Sequence, residues 1–463
     1  SSRYPASVLT QIRNMFKNEI LSSASDKDIV FYSSTPQAAY YNYIQNFSRS
    51  DSKIESLRTV LKDYPYYTAK IDYLKKVSSQ KEFHIEDANL IKRIYTDSLN
   101  ISATGIEEFN LCHFKFFCNS GLKLKVRRKR QIGSLEQGNL IHQCLECVLS
   151  SCKNKEEFDK LSRNQISKII EKCADDYFES NMGGVIKRNA RLESNLKRIK
   201  ENIFKIISHL QNELKQSEFR PINFEFNINE KGIANLTGDN GIEIVIRGVI
   251  DRVDIYESNG EKYIRVIDYK TGKKIFSMSS LLYGINLQML LYMFTITGSG
   301  GAYSDCNPAG VLYMPSGEIV CGRDRDESDN MEEYLNKHYK MNGVVLNDRA
   351  VLNAMEKDIQ GIYIPAKLLK GDTGDGELLL NKRSSSCLTS SQFKKLRQHT
   401  EKIIIDVCNE LYSGNIDADP LVISGGSPCD YCDYWSVCGN VPCEKYREAD
   451  KNAEEKMLKI ISD

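Results

Sequence analysis

Two carboxylates and a lysine stand near the ends of one segment, EIVIRGVIDRVDIYESNGEKYIRVIDYKTG, running from Glu243 to Gly272. Two runs of alternating apolar residues flank Asn259-Gly260, a pair that favours a two-residue hairpin turn because both residues tolerate positive φ. Such a turn fixes the register. With Ser258 facing Glu261, Asp251 falls opposite Asp268, Val253 opposite Val266, Ile255 opposite Ile264 and Val249 opposite Lys270. These residues share one face, apolar except at a charged tip. Opposed carboxylates repel, and burying them unpaired costs several kcal/mol, so the pattern asks for a cation between them. Carboxylate oxygens completed by water suit Mg2+ or Mn2+, and Lys270 points to the same side as Asp268, where it can orient or help deprotonate a metal-bound water. That is the chemistry of phosphodiester hydrolysis. The blander reading leaves both aspartates exposed on a two-sided hairpin, since a one-residue slip would flip one strand.

A second constellation, SPCDYCDYWSVCGNVPCEK, sets Cys429, Cys432, Cys438 and Cys443 in a C-x2-C-x5-C-x4-C pattern. Clustered thiols in a turn-rich context without apolar periodicity indicate a metal, and spacing alone favours a local four-cysteine zinc site. Cys144, Cys147 and Cys152 instead fall inside a helical apolar pattern and read as small core residues. His142 lies on the same helix and, taken alone, reads as a core histidine with a buried hydrogen-bond acceptor. The run KLKVRRKR, Lys123 to Arg130, holds Lys123, Lys125, Arg127, Arg128, Lys129 and Arg130; alone it is a solvated connector.

Taken together, GVIDRVD followed by VIDYKTGK resembles the PD-(D/E)XK nuclease superfamily, in the branch of the RecB-type nuclease domains. The resemblance implies metal binding by Asp251 and Asp268, catalysis by Lys270 and a further ligand in the main-chain carbonyl of Tyr269. YGINLQMLLYMF resembles the branch's Q-x-x-x-Y signature, which implies that Gln288 and Tyr292 line the site from one helical face. EQGNLIHQCLE is similar to its G-x-x-x-H helix, so His142 is implied to reach the metal, and Glu225 in NFEFNI aligns loosely with an acidic strand residue. SATGIEEFNLCHFKFFCNSGLKL resembles the stretch that opens the iron–sulfur nuclease domain of the second subunits of bacterial AddAB helicase–nucleases. In that family one early cysteine joins three late ones, implying a 4Fe-4S cluster on Cys112, Cys429, Cys432 and Cys438, with Cys443 a bystander. His113 stands where the family has proline. The resemblance runs from about Leu99 to Val441.

The elements that must position these groups are legible in outline. Helical spacing marks Val8 to Phe16, Gln37 to Ile44 and Ile54 to Leu61, then much of Ile101 to Leu149 and Asn154 to Gln216. Period-two alternation from Glu243 to Lys270 predicts strands, a long apolar helix follows over Ser279 to Thr297, then a strand over Gly310 to Met314. A loop-rich region extends to about Asp375, and a helix near Gln392 to Tyr412 precedes the cysteines. The fold expected is an α/β PD-(D/E)XK (restriction-endonuclease-like) core, a mixed β-sheet flanked by helices and stapled by the cluster. A small helical region at residues 1–100 precedes this nuclease domain at 101–463.

The 463 residues balance 63 Lys and Arg against 62 Asp and Glu, so a nucleic-acid surface must come from local clustering rather than from global charge. Fourteen cysteines suit a reducing compartment with one cysteine-ligated metal better than a secreted disulfide scaffold. The start, SSRYPASVLTQ, lacks an initiator Met and a signal sequence and reads as a piece of a longer soluble chain. No G-x-x-x-x-G-K-[ST] occurs, so the chain has no P-loop for ATP.

The resemblance implies a metal-dependent deoxyribonuclease, an exonuclease on single strands, that acts in double-strand break repair and recombination in the bacterial cytoplasm. Its implied partners are DNA, with the basic run lining the strand's path, and an AddA-like subunit. Two alternatives remain: a stand-alone iron–sulfur exonuclease resembling those of CRISPR adaptation, and a non-catalytic DNA-binding module with a cysteine-ligated zinc.

Overall fold

The computed structural model describes residues 15, 29, 31–47, 52–78, 83–125, 133–182, 190–228, 236–272, 274–318, 331–369, 378–381, 385–423, 425–438 and 445–462. The chain divides into two units, Ser1–Glu82 with Trp435–Lys445, and Phe83–Tyr434 with Tyr446–Asp463. The smaller unit contains α1 (Pro36–Gln45), α2 (Ser52–Leu61) and α3 (Pro65–Ser78). Thr35 caps α1 by accepting from the Ala38 amide, and proline opens the helix where its missing N–H is harmless. Ala39, Tyr43, Ile54, Leu57, Leu61 and Ile71 form the core of these helices. The first two coincide with the expected helices; of the stretch Val8 to Phe16, all but Met15 lies outside the described residues.

The larger unit runs through α4 (Ala88–Tyr95), β1 (Ser98–Ser102), α5 (Ala103–Leu111), α6 (Ser134–Ser150), α7 (Arg163–Met182) and α8 (Ala190–Gln216). It continues with β2 (Arg220–Asn227), β3 (Leu236–Thr237), β4 (Glu243–Arg247), β5 (Val249–Ser258), β6 (Glu261–Lys270) and α9 (Gln288–Ile296). β7 (Asn307–Pro315), β8 (Asn342–Leu346), β9 (Cys387–Leu388) and α10 (Ser390–Ser413) complete the framework. The main sheet has the order β2-β5-β6-β7-β8-β9. β6 pairs with β7 and β8 with β9 in parallel, while β2–β5, β5–β6 and β7–β8 are antiparallel, so the sheet is mixed as expected. Helices cover it: Leu145 and Val148 of α6, Ile203 and Leu210 of α8 and Leu290 and Met293 of α9 are all fully buried in one core with Val253, Val266 and Val311 of the sheet.

The hairpin register is the one its turn chemistry predicts. Asn259 and Gly260 have φ of 53° and 81°, the positive pair that lets a two-residue turn follow the twist of the strands. Ser258 faces Glu261, Ile255 faces Ile264 and Val253 faces Val266. Three expectations change. β4 does not extend β5 but leaves for a second sheet of order β1-β4-β3, the chain switching sheets at Gly248. The single helix expected over Ser279 to Thr297 is instead a short turn at Met278–Leu281 followed by α9, because Gly284 (φ 69°) and Asn286 (φ 65°) adopt conformations no helix contains. The region read as loop-rich holds β8 and helices at Met331–Tyr339 and Arg349–Met355, with Val344, Val345 and Leu352 fully buried.

Candidate metal centre

The β5–β6 ladder places its last pair at Arg252 and Ile267, one residue short of the two aspartates. There the Tyr269 amide donates to Asp251 Oδ2 at 2.7 Å, so a side chain replaces the backbone bond that a continued ladder would supply. From the neighbouring strand, Glu225 lies between the pairs Phe224–Arg252 and Phe226–Ile250, level with Asp251. Its φ of 43° is strained for a non-glycine residue in a strand. From α6, His142 brings Nδ1 to 3.3 Å from Asp251 Oδ2 and 3.9 Å from Glu225 Oε1, while its Nε2 lies 2.7 Å from the Tyr269 carbonyl oxygen. One donor atom from each of His142, Glu225 and Asp251 falls within a span of 4.8 Å. Two carboxylates and an imidazole beside a main-chain carbonyl are a donor set fit for a divalent cation such as Mg2+ or Mn2+.

Asp268 occupies the adjoining position and is engaged differently. Lys270 Nζ lies 2.5 Å from its Oδ2, and Gln288 Nε2 donates to its Oδ1 at 3.2 Å. Lys270 also donates to Gln288 Oε1 at 3.3 Å, closing an Asp268–Lys270–Gln288 triangle. Gln288 is the first residue of α9, and Tyr292 follows one turn later on the same helix. A methyl group placed on Gly248 would sit 2.4 Å from the Tyr292 hydroxyl, so glycine at the sheet-switching point is what admits this ring.

The electrostatics are those of crowded carboxylates. Burial, then repulsion from Asp251, lifts Glu225 to about 7, and the same two causes lift Asp268 to about 6 against the pull of Lys270. Burial disfavours a charged His142, yet the Asp251 carboxylate overrides it and carries the imidazole up to about 9. Burial with the charge of Asp268 pushes the Tyr292 phenol to about 12. Excess negative charge shared by several buried groups is the field that a divalent cation relieves.

The opposite face of the same two strands carries charges that the sequence pattern did not single out. Arg252 grips Asp254 through two bonds of 2.7 and 2.6 Å, Arg265 donates to Asp254 at 2.9 Å, and both arginines reach Glu213 of α8, at 3.2 and 2.6 Å. All four side chains are essentially inaccessible. Part of the signal was present, since the register that opposes the aspartates also sets Asp254 against Arg265. Nothing local in the sequence points to Glu213.

The cysteines are brought partly together. Cys112 ends α5, Cys429 lies within the turn at Pro428–Tyr431 and Cys432 directly follows it; both lie near enough to act electrostatically on the Cys112 thiol, which burial raises to about 12. The Tyr434 amide donates to Cys432 Sγ at 3.4 Å, a bond that suits a thiolate ligand. Three of the four cysteines that the family resemblance implies as cluster ligands thus belong to one unit. Cys438 belongs to the segment of the smaller unit, where its thiol donates to the Trp435 carbonyl, and Cys443 lies outside the described residues. His113, in place of the family's proline, is buried and binds Asp419 Oδ1 through Nδ1 at 2.8 Å, while the Phe114 amide donates to the Asp417 carbonyl. These bonds hold the late segment beside Cys112. Cys144 is buried as expected of a core residue, and Cys147 and Cys152 pack partly buried against the same core. Lys123 and Lys125 are exposed, and Arg127, Arg128, Lys129 and Arg130 lie outside the described residues. No described helix is long and apolar enough to cross a membrane.

Comparison with known proteins gives a consistent picture. A family model described as the PD-(D/E)XK nuclease superfamily matches residues 100–439. The chain is 26% identical to AddB of Thermoanaerobacter sp. (strain X514), one of the subunits of an ATP-dependent helicase/deoxyribonuclease, over 99% of this chain and 41% of that protein. The protein of the same name from Clostridioides difficile (strain 630) is 26% identical over 99% of this chain and 42% of its own length, and that from Clostridium botulinum (strain Langeland) 28% over 97% and 41%. The chain thus spans about two fifths of the length of these relatives. With its mixed sheet, its hairpin carrying Asp251 and Asp268 and a family match over most of its length, this chain belongs to the PD-(D/E)XK nuclease superfamily.

Proposed function

We propose that the chain is a metal-dependent deoxyribonuclease acting on single-stranded DNA, and that it works with an AddA-like subunit in a bacterial, cytoplasmic helicase–nuclease that processes double-strand breaks for recombination. The observation that carries the nuclease reading is the convergence of His142, Glu225 and Asp251 beside an Asp268 already paired with Lys270. The relatives' name, which joins a helicase to a deoxyribonuclease, supports the wider assignment.

In this reading His142, Glu225, Asp251, Asp268 and the Tyr269 carbonyl hold Mg2+ or Mn2+. A divalent ion there supplies Lewis acidity to a phosphodiester oxygen and lowers the pKa of attacking water. The chain's own contribution is positional. Gln288 fixes both Asp268 and the Lys270 ammonium, so the lysine stands beside the carboxylate it must serve, ready to orient water or carry a proton. Tyr292 walls this corner against bulk solvent, being itself almost fully buried. Lys123, Lys125 and the arginines after them supply phosphate contacts along the strand. Cys112, Cys429, Cys432 and Cys438 hold a 4Fe-4S cluster with an architectural role, binding an early segment to a late one.

The test is cleavage of end-labelled single-stranded DNA in Mg2+ or Mn2+ by the parent and by Asp268→Ala and Lys270→Ala proteins. Metal-dependent cutting lost in both variants is expected. A parent that binds DNA and metal without cutting, alone or with an AddA-like subunit, or variants that cut as well as the parent, would sink the assignment.

A further inference from the structure

We propose that the buried quartet Arg252, Asp254, Arg265 and Glu213 is a positioning device for the metal centre on the other face of β5 and β6, acting through Tyr269. The proposal rests on the metal-site reading above. Four interior charges are a poor way to gain stability, since well-packed apolar residues of similar volume do as well or better. What a forked guanidinium adds is a fixed geometry, because its five donors lie in one plane in a rigid fork. Here both arginines are locked between two carboxylates, and the Phe219 ring lies 4.9 Å from the Arg265 guanidinium carbon.

The place where that geometry is needed lies just beyond. The backbone ladder stops at Arg252 and Ile267, so no continuing ladder bond fixes Asp251 against Asp268. Two ties cross the gap instead. The Tyr269 amide holds Asp251 Oδ2 at 2.7 Å, and Arg252 Nη1 holds the Tyr269 hydroxyl at 3.4 Å from the opposite face. Tyr269 is thus gripped at both ends. Its side chain is anchored to the quartet, while its amide and carbonyl face Asp251 and His142. Arg252 is also the immediate neighbour of Asp251, and Glu213 ties the pair of strands to α8. Rigidity of the quartet is passed to the ligand set through one residue.

The experiment separates this role from simple stability. In the full 463-residue chain, Arg252→Met, Asp254→Leu, Arg265→Met and Glu213→Leu are combined, and Tyr269→Phe is made separately. Denaturant unfolding, Mn2+ affinity by calorimetry and DNA cleavage are measured for each. The apolar quartet is expected to unfold at the parental midpoint or later while its Mn2+ affinity falls about tenfold or more, the scale of lost outer-shell support. Tyr269→Phe is expected to keep the parental midpoint and also to weaken Mn2+ binding. A folded quartet variant with parental Mn2+ affinity would overturn the proposal; should that variant fail to fold, parental affinity in Tyr269→Phe would do so. A parent that binds Mn2+ but does not cut DNA leaves this inference standing and removes only the nuclease reading, whereas a parent that binds no Mn2+ overturns both.

Discussion

Gly248→Ala is a change of one methyl group at a residue with no side chain of its own in the site, and it should damage the site through Tyr292. The added carbon would lie 2.4 Å from the Tyr292 hydroxyl and 2.5 Å from two ring carbons, where ordinary contact begins near 3.4 Å. Relief requires a shift of about 1 Å, by the ring, by α9 or by the β4–β5 junction, and overpacking of this kind costs about 1–3 kcal/mol. The ring has little room to yield, for Tyr292 is 4% exposed and α9 is buried along its length. Gln288 rides on the same helix and holds Asp268 and Lys270, so the shift reaches the pair proposed to carry the cleavage chemistry, where misplacement by about 1 Å costs up to about 100-fold in rate. Denaturant midpoints and cleavage rates of Gly248→Ala, Tyr292→Ala and the double variant form the assay. The double variant should be no worse than Tyr292→Ala alone, because the clash has lost its second partner. Independent, additive losses, or a Gly248→Ala protein as stable and active as the parent, would refute the argument.

Other outcomes follow from the same geometry. Asp254→Ala leaves two buried guanidinium groups without their shared carboxylate and should lower unfolding free energy by about 3–5 kcal/mol, read from denaturant curves. His209 of α8 is held by burial at about 4, below its ordinary 6.5, so it is neutral in the folded chain. The unfolded chain takes up that proton first; stability is therefore intact above about pH 6.5 and declines as pH falls toward 4, by at most about 3 kcal/mol. His209→Phe should flatten that part of the acid limb, and an unchanged limb would show that other groups govern it. Cys112→Ser should lower both the iron content of the purified protein and its unfolding midpoint; full iron content would remove Cys112 from the ligand set.

The sequence was most informative where chemistry and register coincided. Asn259-Gly260 selects a pairing with an apolar face, and the ladder keeps that register from Ser258–Glu261 to Arg252–Ile267, one residue from the aspartates. The apolar periodicity that predicts one helix over Ser279 to Thr297 runs on through Gly284 and Asn286, whose positive φ breaks the helix just before Gln288. That break makes Gln288 a helix-opening residue, free to reach two partners at once. Alternation does not reveal which sheet β4 joins; the switch at Gly248 is written in the crowding of Tyr292 rather than in polarity. Glu225 was a loose alignment because its role depends on strand adjacency. Glu213 was invisible for the same reason, since a buried ion pair between helix and sheet leaves no periodic trace.

The hairpin also bears on how such a chain can vary over generations. Its turn is exposed at one end of the ladder, and the aspartates lie at the other. What passes along the ladder is parity, whether a residue faces one side or the other, and the seven pairs from Arg252–Ile267 to Ser258–Glu261 hold it without help from the tip. Residues inserted between Asn259 and Gly260 would lengthen a loop and leave the aspartate end untouched, whereas a single residue inserted between Val253 and Asp254 would put every side chain on one flank of the insertion on the wrong side. One end of this hairpin can therefore take up changes in length that the other end cannot.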